Sequence, residues 1–302
     1  MNYRTDIIYE AVDTLLSKNK QYKNFENINL IHTNVSSKLS KKINKKQGDY
    51  YLVDISKLDL NNKEDIKLIQ KFLSKLIKKI LKNDNITIKS KGLIVGLGND
   101  NITPDSLGPK VIDKIIVTRH IFELDLDYKK NNVSSVCALS PGVMGTTGIE
   151  TSDIIKAIIE KINIDYIIIV DALAARDISR IMKTIQITNA GISPGSGVGN
   201  KRKELSKEIL GVPVIVIGVP TVVDLVTLAS NTIDYINTKL EENVFGEFGN
   251  ISSNEKKEVI RDVLTDSGIN MIVTPKEIDI DIQNLSEIIS KALDYSLHEI
   301  KE

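Results

Sequence analysis

Two aspartates in this chain follow apolar runs and enter stretches of small residues. In LIVGLGNDNITPDSLGP, residues 93–109, an apolar run ends in Gly96-Leu97-Gly98 and leads to Thr103-Pro104-Asp105. In YIIIVDALAAR, residues 166–176, Asp171 directly follows Ile167-Ile168-Ile169-Val170. Open α/β sheets gather their ligands in the crevice beyond the carboxyl ends of their strands. Two carboxylates converging there can share a proton, one acting as general base toward water and the other as acid. The same pair, Asp105 and Asp171, can instead bind a divalent ion through oxygen. Each aspartate also has a plainer role. Thr103 suits a helix N-cap and Pro104 a first helical position, which puts Asp105 in a first turn favoured by the helix dipole. Asp171 can cap a helix that begins at Ala172.

Other residues carry weaker signals. A dinucleotide fingerprint needs a third glycine where Asn101 stands, and the next strand ends without an acidic ribose ligand. SPGVMGTTGIETSD, residues 140–153, is a glycine-rich loop opening a helix. Backbone N–H groups around Gly142, Gly145 and Gly148 can bind an anion or a substrate carbonyl, or the loop is a plain turn. Cys137 lies in an apolar run with no histidine near it in sequence, as a small core residue would. Lys201-Arg202-Lys203 reads as a solvated loop able to steer an acidic substrate.

These residues need a scaffold, and the pattern of elements supplies one. The apolar strands 50–56, 92–98, 134–142, 166–176 and 213–220 alternate with helices at 65–82, 104–120, 149–162 and 221–236. That alternation predicts an α/β fold with a mostly parallel sheet and helices on both faces. TIQITN, 184–189, reads as a further strand at a sheet edge. Residues 1 to about 48 read as a short helix from Ile7 to Leu16 and a mobile connection, and 237–302 as a polar, mostly helical region. The 302 residues carry 40 basic and 40 acidic side chains, for a formal net charge of +0. No global field therefore favours nucleic acid or an anionic membrane. No long uncharged apolar run and no secretory signal is present. One cysteine rules out an internal disulfide and a thiolate metal cluster, and suits a reducing cytoplasm. Three histidines in unrelated contexts argue against a histidine zinc site.

The motifs GLGNDNITPDSLGP, SPGVMGTTGIETSDI, IIIVDALAAR, TIQITNAGISPGSGVGNKRKEL and VPVIVIGVPTVVD together resemble the spore germination proteases, in order, from about residue 3 to the C-terminal region. The resemblance implies an endopeptidase that degrades small acid-soluble spore proteins in the spore cytoplasm during germination. It implies a core similar to the hydrogenase maturation proteases, extended by N- and C-terminal helical segments, and a homotetramer. It matches the family's two essential aspartates, of unusual aspartic type, to Asp105 and Asp171. It also implies a zymogen that removes its own N-terminus. Arg4-Thr5-Asp6-Ile7 matches that region, so the cut falls between Asp6 and Ile7, with 1–6 as propeptide and 7–302 as a single peptidase domain. Substrate sites would carry an acidic residue before the scissile bond, with Arg176 or Lys201 to read it. No cofactor is required by this reading, although a divalent metal at Asp105 and Asp171 fits the related proteases. Two other classes remain: a maturation-type peptidase recognising a metal centre on a partner, and a nucleotide-binding module without catalysis.

Overall fold

The computed structural model describes residues 6–12, 20–43, 45–124, 133–195, 202–240, 252–264 and 271–298. Lys201, Met1–Thr5 and the last four residues lie outside them. The strands are β1 (Lys20–Phe25), β2 (Ile28–Val35), β3 (Gly48–Asp54), β4 (Gly92–Gly96), β5 (Val136–Leu139), β6 (Tyr166–Ala175), β7 (Thr184–Thr188), β8 (Val214–Asp224) and β9 (Ile272–Val273). The helices are α1 (Ile8–Val12), α2 (Ser37–Ile43), α3 (Lys63–Asn83), α4 (Leu107–Ile112), α5 (Arg119–Glu123), α6 (Met144–Thr147), α7 (Thr151–Ile162), α8 (Lys207–Leu210), α9 (Leu225–Leu240), α10 (Ser253–Leu264) and α11 (Ile278–Leu297).

One sheet runs in the order β1-β2-β3-β7-β8-β6-β4-β5, with β9 added to β8. The expected α/β architecture is present, and the sheet divides into two halves. β5, β4, β6 and β8 are mutually parallel. β1, β2, β3 and β7 meet one another and β8 antiparallel. The parallel half is the part legible as continuous apolar runs, because its strands are buried on both faces. β6 is nearly all buried, and β8 entirely so.

One face is covered by α3, α4 and α11. In α3, Ile69, Leu73, Leu76, Ile77, Ile80 and Leu81 form a buried stripe at helical spacing. Asn62 caps this helix by accepting a hydrogen bond from the Glu64 N–H at 2.9 Å. α11 buries Ile282, Leu285, Ile288, Ile289, Ala292 and Leu293, so the seemingly polar C-terminal region contributes a core helix. The opposite face of the parallel half packs against α7 through Ile155 and Ile159, with Leu210 of α8 beside them.

Several boundaries differ from the sequence expectation. The N-terminal region holds a hairpin, β1–β2, where a mobile connection was expected. Its register closes Phe25 on Ile28 across Glu26 and Asn27, with Glu26 at φ 43. That turn lacks the Asn-Gly or Asp-Gly signature, and most residues of both strands reach solvent, which hides the alternation. β7 is an interior strand between β3 and β8, because the N-terminal strands add onto it. β8 continues through Thr221-Val222-Val223-Asp224, so the helix expected from 221 begins at Leu225. The helix expected over 104–120 is broken into a 3-10 turn at Thr103–Asp105, α4 and α5.

Candidate active site

The local chain at Asp105 explains the two glycines before it. A Cβ on Gly96 would stand 2.3 Å from the carbonyl oxygen of Gly108. A Cβ on Gly98, at φ +115, would stand 1.9 Å from the carbonyl oxygen of Asp105. The glycines thus let the 103–112 segment fold directly back onto the end of β4, which is close packing and not a phosphate cradle. The Asn99 N–H donates to the Asp105 carboxylate at 2.9 Å and to its carbonyl at 3.1 Å. Asp105 closes a 3-10 turn whose N-cap is Ile102, with no side-chain cap. Thr103 is therefore not the expected cap of a helix containing Asp105.

Asp171 sits inside a strand. β6 runs on to Ala175 beside β8, so no helix begins at Ala172 and the capping role falls away. What ends at Asp171 is the pairing with β4: the last register pair is Gly96 with Val170, and the Leu97 N–H donates to the Val170 carbonyl at 2.8 Å. From Asp171 onward that edge of β6 is open to other chain. Asp171 is 6% exposed, and its carboxyl accepts one hydrogen bond, from the Ala172 N–H at 3.0 Å.

The two carboxyls titrate apart. Burial lifts Asp105 to about 6, opposed by the Asn99 N–H. Burial lifts Asp171 well above the usual carboxylate range, and the negative charges of Asp105 and then Asp6 raise it further, against the Ala172 N–H. Asp171 accordingly holds its proton to higher pH than Asp105, which is largely ionised near pH 7. Such a split pair can take a proton with one member and deliver one with the other. Two carboxyls would supply only part of the six or more oxygen donors that hard divalent ions take, with water completing the set. No group of three or more His, Cys, Asp or Glu side chains able to hold a metal exists among the described residues.

Asp6 belongs to this cluster. Its N–H donates to the Ala174 carbonyl at 3.0 Å, and the Ala174 N–H donates back to the Asp6 carboxylate at 3.0 Å. Ile7 and Ile8 are fully buried. Glu10 then accepts from the Arg176 N–H at 2.7 Å and the Asp177 N–H at 2.9 Å, with the Arg180 guanidinium 3.6 Å away. The expected cut after Asp6 is thus placed on the open end of β6 that carries Asp171. Glu10, and Gln186, whose amide oxygen accepts from the Ile8 N–H at 2.9 Å, are contacts that the sequence did not single out. For Gln186 a signal existed, a lone amide between two isoleucines in TIQIT; for Glu10 none did.

The remaining expected residues are spread more widely. Gly142, at φ +72, and Gly148, at φ +70, flank the exposed α6 beyond β5, next to β4. Ser140 donates to the Gly96 carbonyl at 3.4 Å, and no described hydrogen bond ties Gly142, Gly145 or Gly148 to either aspartate. The loop carrying Arg202 and Lys203 folds toward it: Arg202 meets Met144 Sδ at 3.3 Å, and Lys203 pairs with Asp153 at 3.0 Å. Arg176 lines a cavity of about 620 Å³ with Asp177, Asn231 and Tyr235. Cys137 is half-buried, and burial pushes its thiol up, as befits an inert residue.

A family model described as germination protease matches residues 9–242 and 237–302. The chain is 42% identical over 309 residues to a germination protease of Clostridium acetobutylicum, covering 97% of this chain and 94% of that one. It is 38% identical over 348 residues to one of Geobacillus sp. (strain WCH70), covering 98% and 94%. Among solved structures, a [NiFe] hydrogenase maturation protease, HycI from Thermococcus kodakarensis, aligns with 72% of this chain and 98% of its own at 15% identity and a TM-score of 0.34. The assignment rests on the sequence relatives.

Proposed function

The chain belongs to the germination protease family, a family of peptidases of spore germination, and on that premise we propose that Asp105 and Asp171 are its water-activating pair. The observation that carries the proposal is geometric: Asp105, in the turn beyond the end of β4, and Asp171, on β6 where its pairing with β4 stops, are two buried carboxyls close enough for the charge of one to raise the other. Ionised Asp105 takes a proton from water, the water oxygen attacks a peptide carbonyl, and protonated Asp171 delivers its proton to the departing nitrogen. Aspartic-type hydrolysis follows from that division of roles.

The substrates are small acid-soluble spore proteins, in the cytoplasm of the spore core, and the working form is a homotetramer. Cleavage follows an acidic residue, read by Arg176 or Lys201, and the Gly142, Gly145 and Gly148 loop contacts substrate at the β5 side of the crevice. The chain is made as a zymogen in which 1–6 is the propeptide and 7–302 the peptidase domain. Asp6 beside Asp171 supports a cut between Asp6 and Ile7. The assembly needs neither nucleic acid nor membrane. No helix among the described residues is long and apolar enough to cross a membrane.

The test is mass spectrometry of the full chain and of Asp171→Asn after incubation across pH 5 to 8. The native chain is expected to lose Met1–Asp6 and the variant to stay whole. Equal processing of both would sink the assignment of the pair.

A further inference from the structure

The segment lying on β6 discloses a further residue of the reaction. Gln186 is 6% exposed and stands in the middle of β7. Its amide oxygen accepts from the Ile8 N–H at 2.9 Å, and its amide nitrogen donates to the Asp6 carbonyl at 3.4 Å. Both partners demand the same orientation of the amide, since one is a donor and the other an acceptor. The clamp therefore spans the bond between Asp6 and Ile7 and holds the carbonyl on its acyl side.

The sheet register places this clamp opposite Asp171. Gly218 of β8 is the register partner of Asp171 on one side and of Gln186 on the other. Register partners project to one face, so Asp171 and Gln186 share a face with a glycine between them. Two strand spacings separate their backbones by about 9.6 Å, room for a peptide group between the two side chains. Leu173 packs onto Gly218 and forms the floor of that crossing, since a Cβ there would meet it at 2.4 Å.

We propose that Gln186 is the side-chain donor to the carbonyl of the cleaved peptide, stabilising the oxyanion while Asp105 and Asp171 handle the water and the leaving nitrogen. The proposal rests on the aspartate pair and on the Asp6–Ile7 cut. When water adds, the carbonyl π electrons move to oxygen, and the Nε2–H already aimed at that oxygen meets the growing charge. The 3.4 Å contact tightens as the charge grows, as such bonds do on passing to the transition state. The same donor would serve the carbonyl after the acidic residue of a spore-protein substrate once Asp6 has left.

The test is the first-order rate of self-processing in the full chain, followed by mass, for the native protein, Asp171→Asn and Gln186→Glu. Glutamate keeps an acceptor for the Ile8 N–H and, when ionised, loses the donor. Loss of one oxyanion donor lowers rates about 10²–10³-fold, and that is the expected fall for Gln186→Glu at neutral pH. Exchange protection of the Ile8 amide, measured with and without Gln186→Glu in uncut Asp171→Asn chains, should be retained. An unchanged rate overturns the role of Gln186 and leaves the aspartate pair standing. A slowed rate with lost Ile8 protection makes Gln186 an anchor only and overturns the donor role. A native chain that is never cut at Asp6, or one cut equally in Asp171→Asn, removes the proposed function and this inference with it. If Gln186→Glu does not fold, Gln186→Asn replaces it under the same outcomes, since it keeps the amide but withdraws it by one methylene.

Discussion

Asp105→Asn should make the protein more stable at pH 8 while silencing it. Burial raises the Asp105 carboxyl from 3.8 to about 6 in the folded chain. Between those values the folded state holds a proton that the unfolded state has released, so stability falls as pH rises. The penalty is absent below the unfolded pKa and complete above the folded one. Two pH units and a fraction, at 1.36 kcal/mol each, make about 3 kcal/mol by pH 8. Asparagine is nearly isosteric, cannot ionise, and can still accept from the Asn99 N–H that now binds Asp105 at 2.9 Å. The assay is urea unfolding at pH 4, 6 and 8 on chains shown intact by mass. The two proteins should agree closely at pH 4, and the variant should lead by up to about 3 kcal/mol at pH 8. A variant less stable at pH 8, or offset equally at all three, would refute a carboxylate held ionised against burial. Stabilisation with loss of activity is the pattern expected where function opposes stability.

Gly98→Ala should destabilise by at least the ~1–3 kcal/mol of a non-glycine forced to positive φ, because its Cβ would also meet the Asp105 carbonyl oxygen at 1.9 Å. Thermal unfolding reads the loss, and self-processing should fall with it because Asp105 is displaced; wild-type melting would contradict the close packing. Glu10→Gln keeps the shape but offers one acceptor to the two N–H groups of Arg176 and Asp177, so about 1–3 kcal/mol should be lost. Faster amide exchange at Arg176 or Asp177 is the specific readout, and unchanged protection at both would show that the carboxylate does not hold this corner.

The order of α and β elements in the parallel half was legible because its strands are buried on both faces and its helices on one. Runs such as Ile167-Ile168-Ile169-Val170 and the α3 stripe from Ile69 to Leu81 state that directly. Asp105 and Asp171 were legible as well, each at the end of such a run. What the pattern could not convey was how each is held. Asp171 looked like the end of a strand, yet β6 continues, and only its neighbour β4 stops. Ala172-Leu173-Ala174 suits a helix by propensity, and pairing with β8 overrides it. The β1–β2 hairpin was hidden by polar strands and a turn without its usual residues; α11 falls in the region expected to be helical, and only its core role was hidden, by charges on the exposed side of a buried stripe.

The sequence by itself therefore determined the two carboxyls, the apolar strands that end near them and the α/β class. These depend on residue type and near-neighbour spacing, which a chain displays along its length. The tertiary structure alone decided that Asp171 holds its proton more tightly than Asp105, that Asp6 lies beside them, and that Gln186 reaches the Asp6 carbonyl across 180 positions of sequence. A proton's affinity depends on burial and on charges brought close by folding. A hydrogen bond between distant positions depends on the register of three strands, and neither is written in local order.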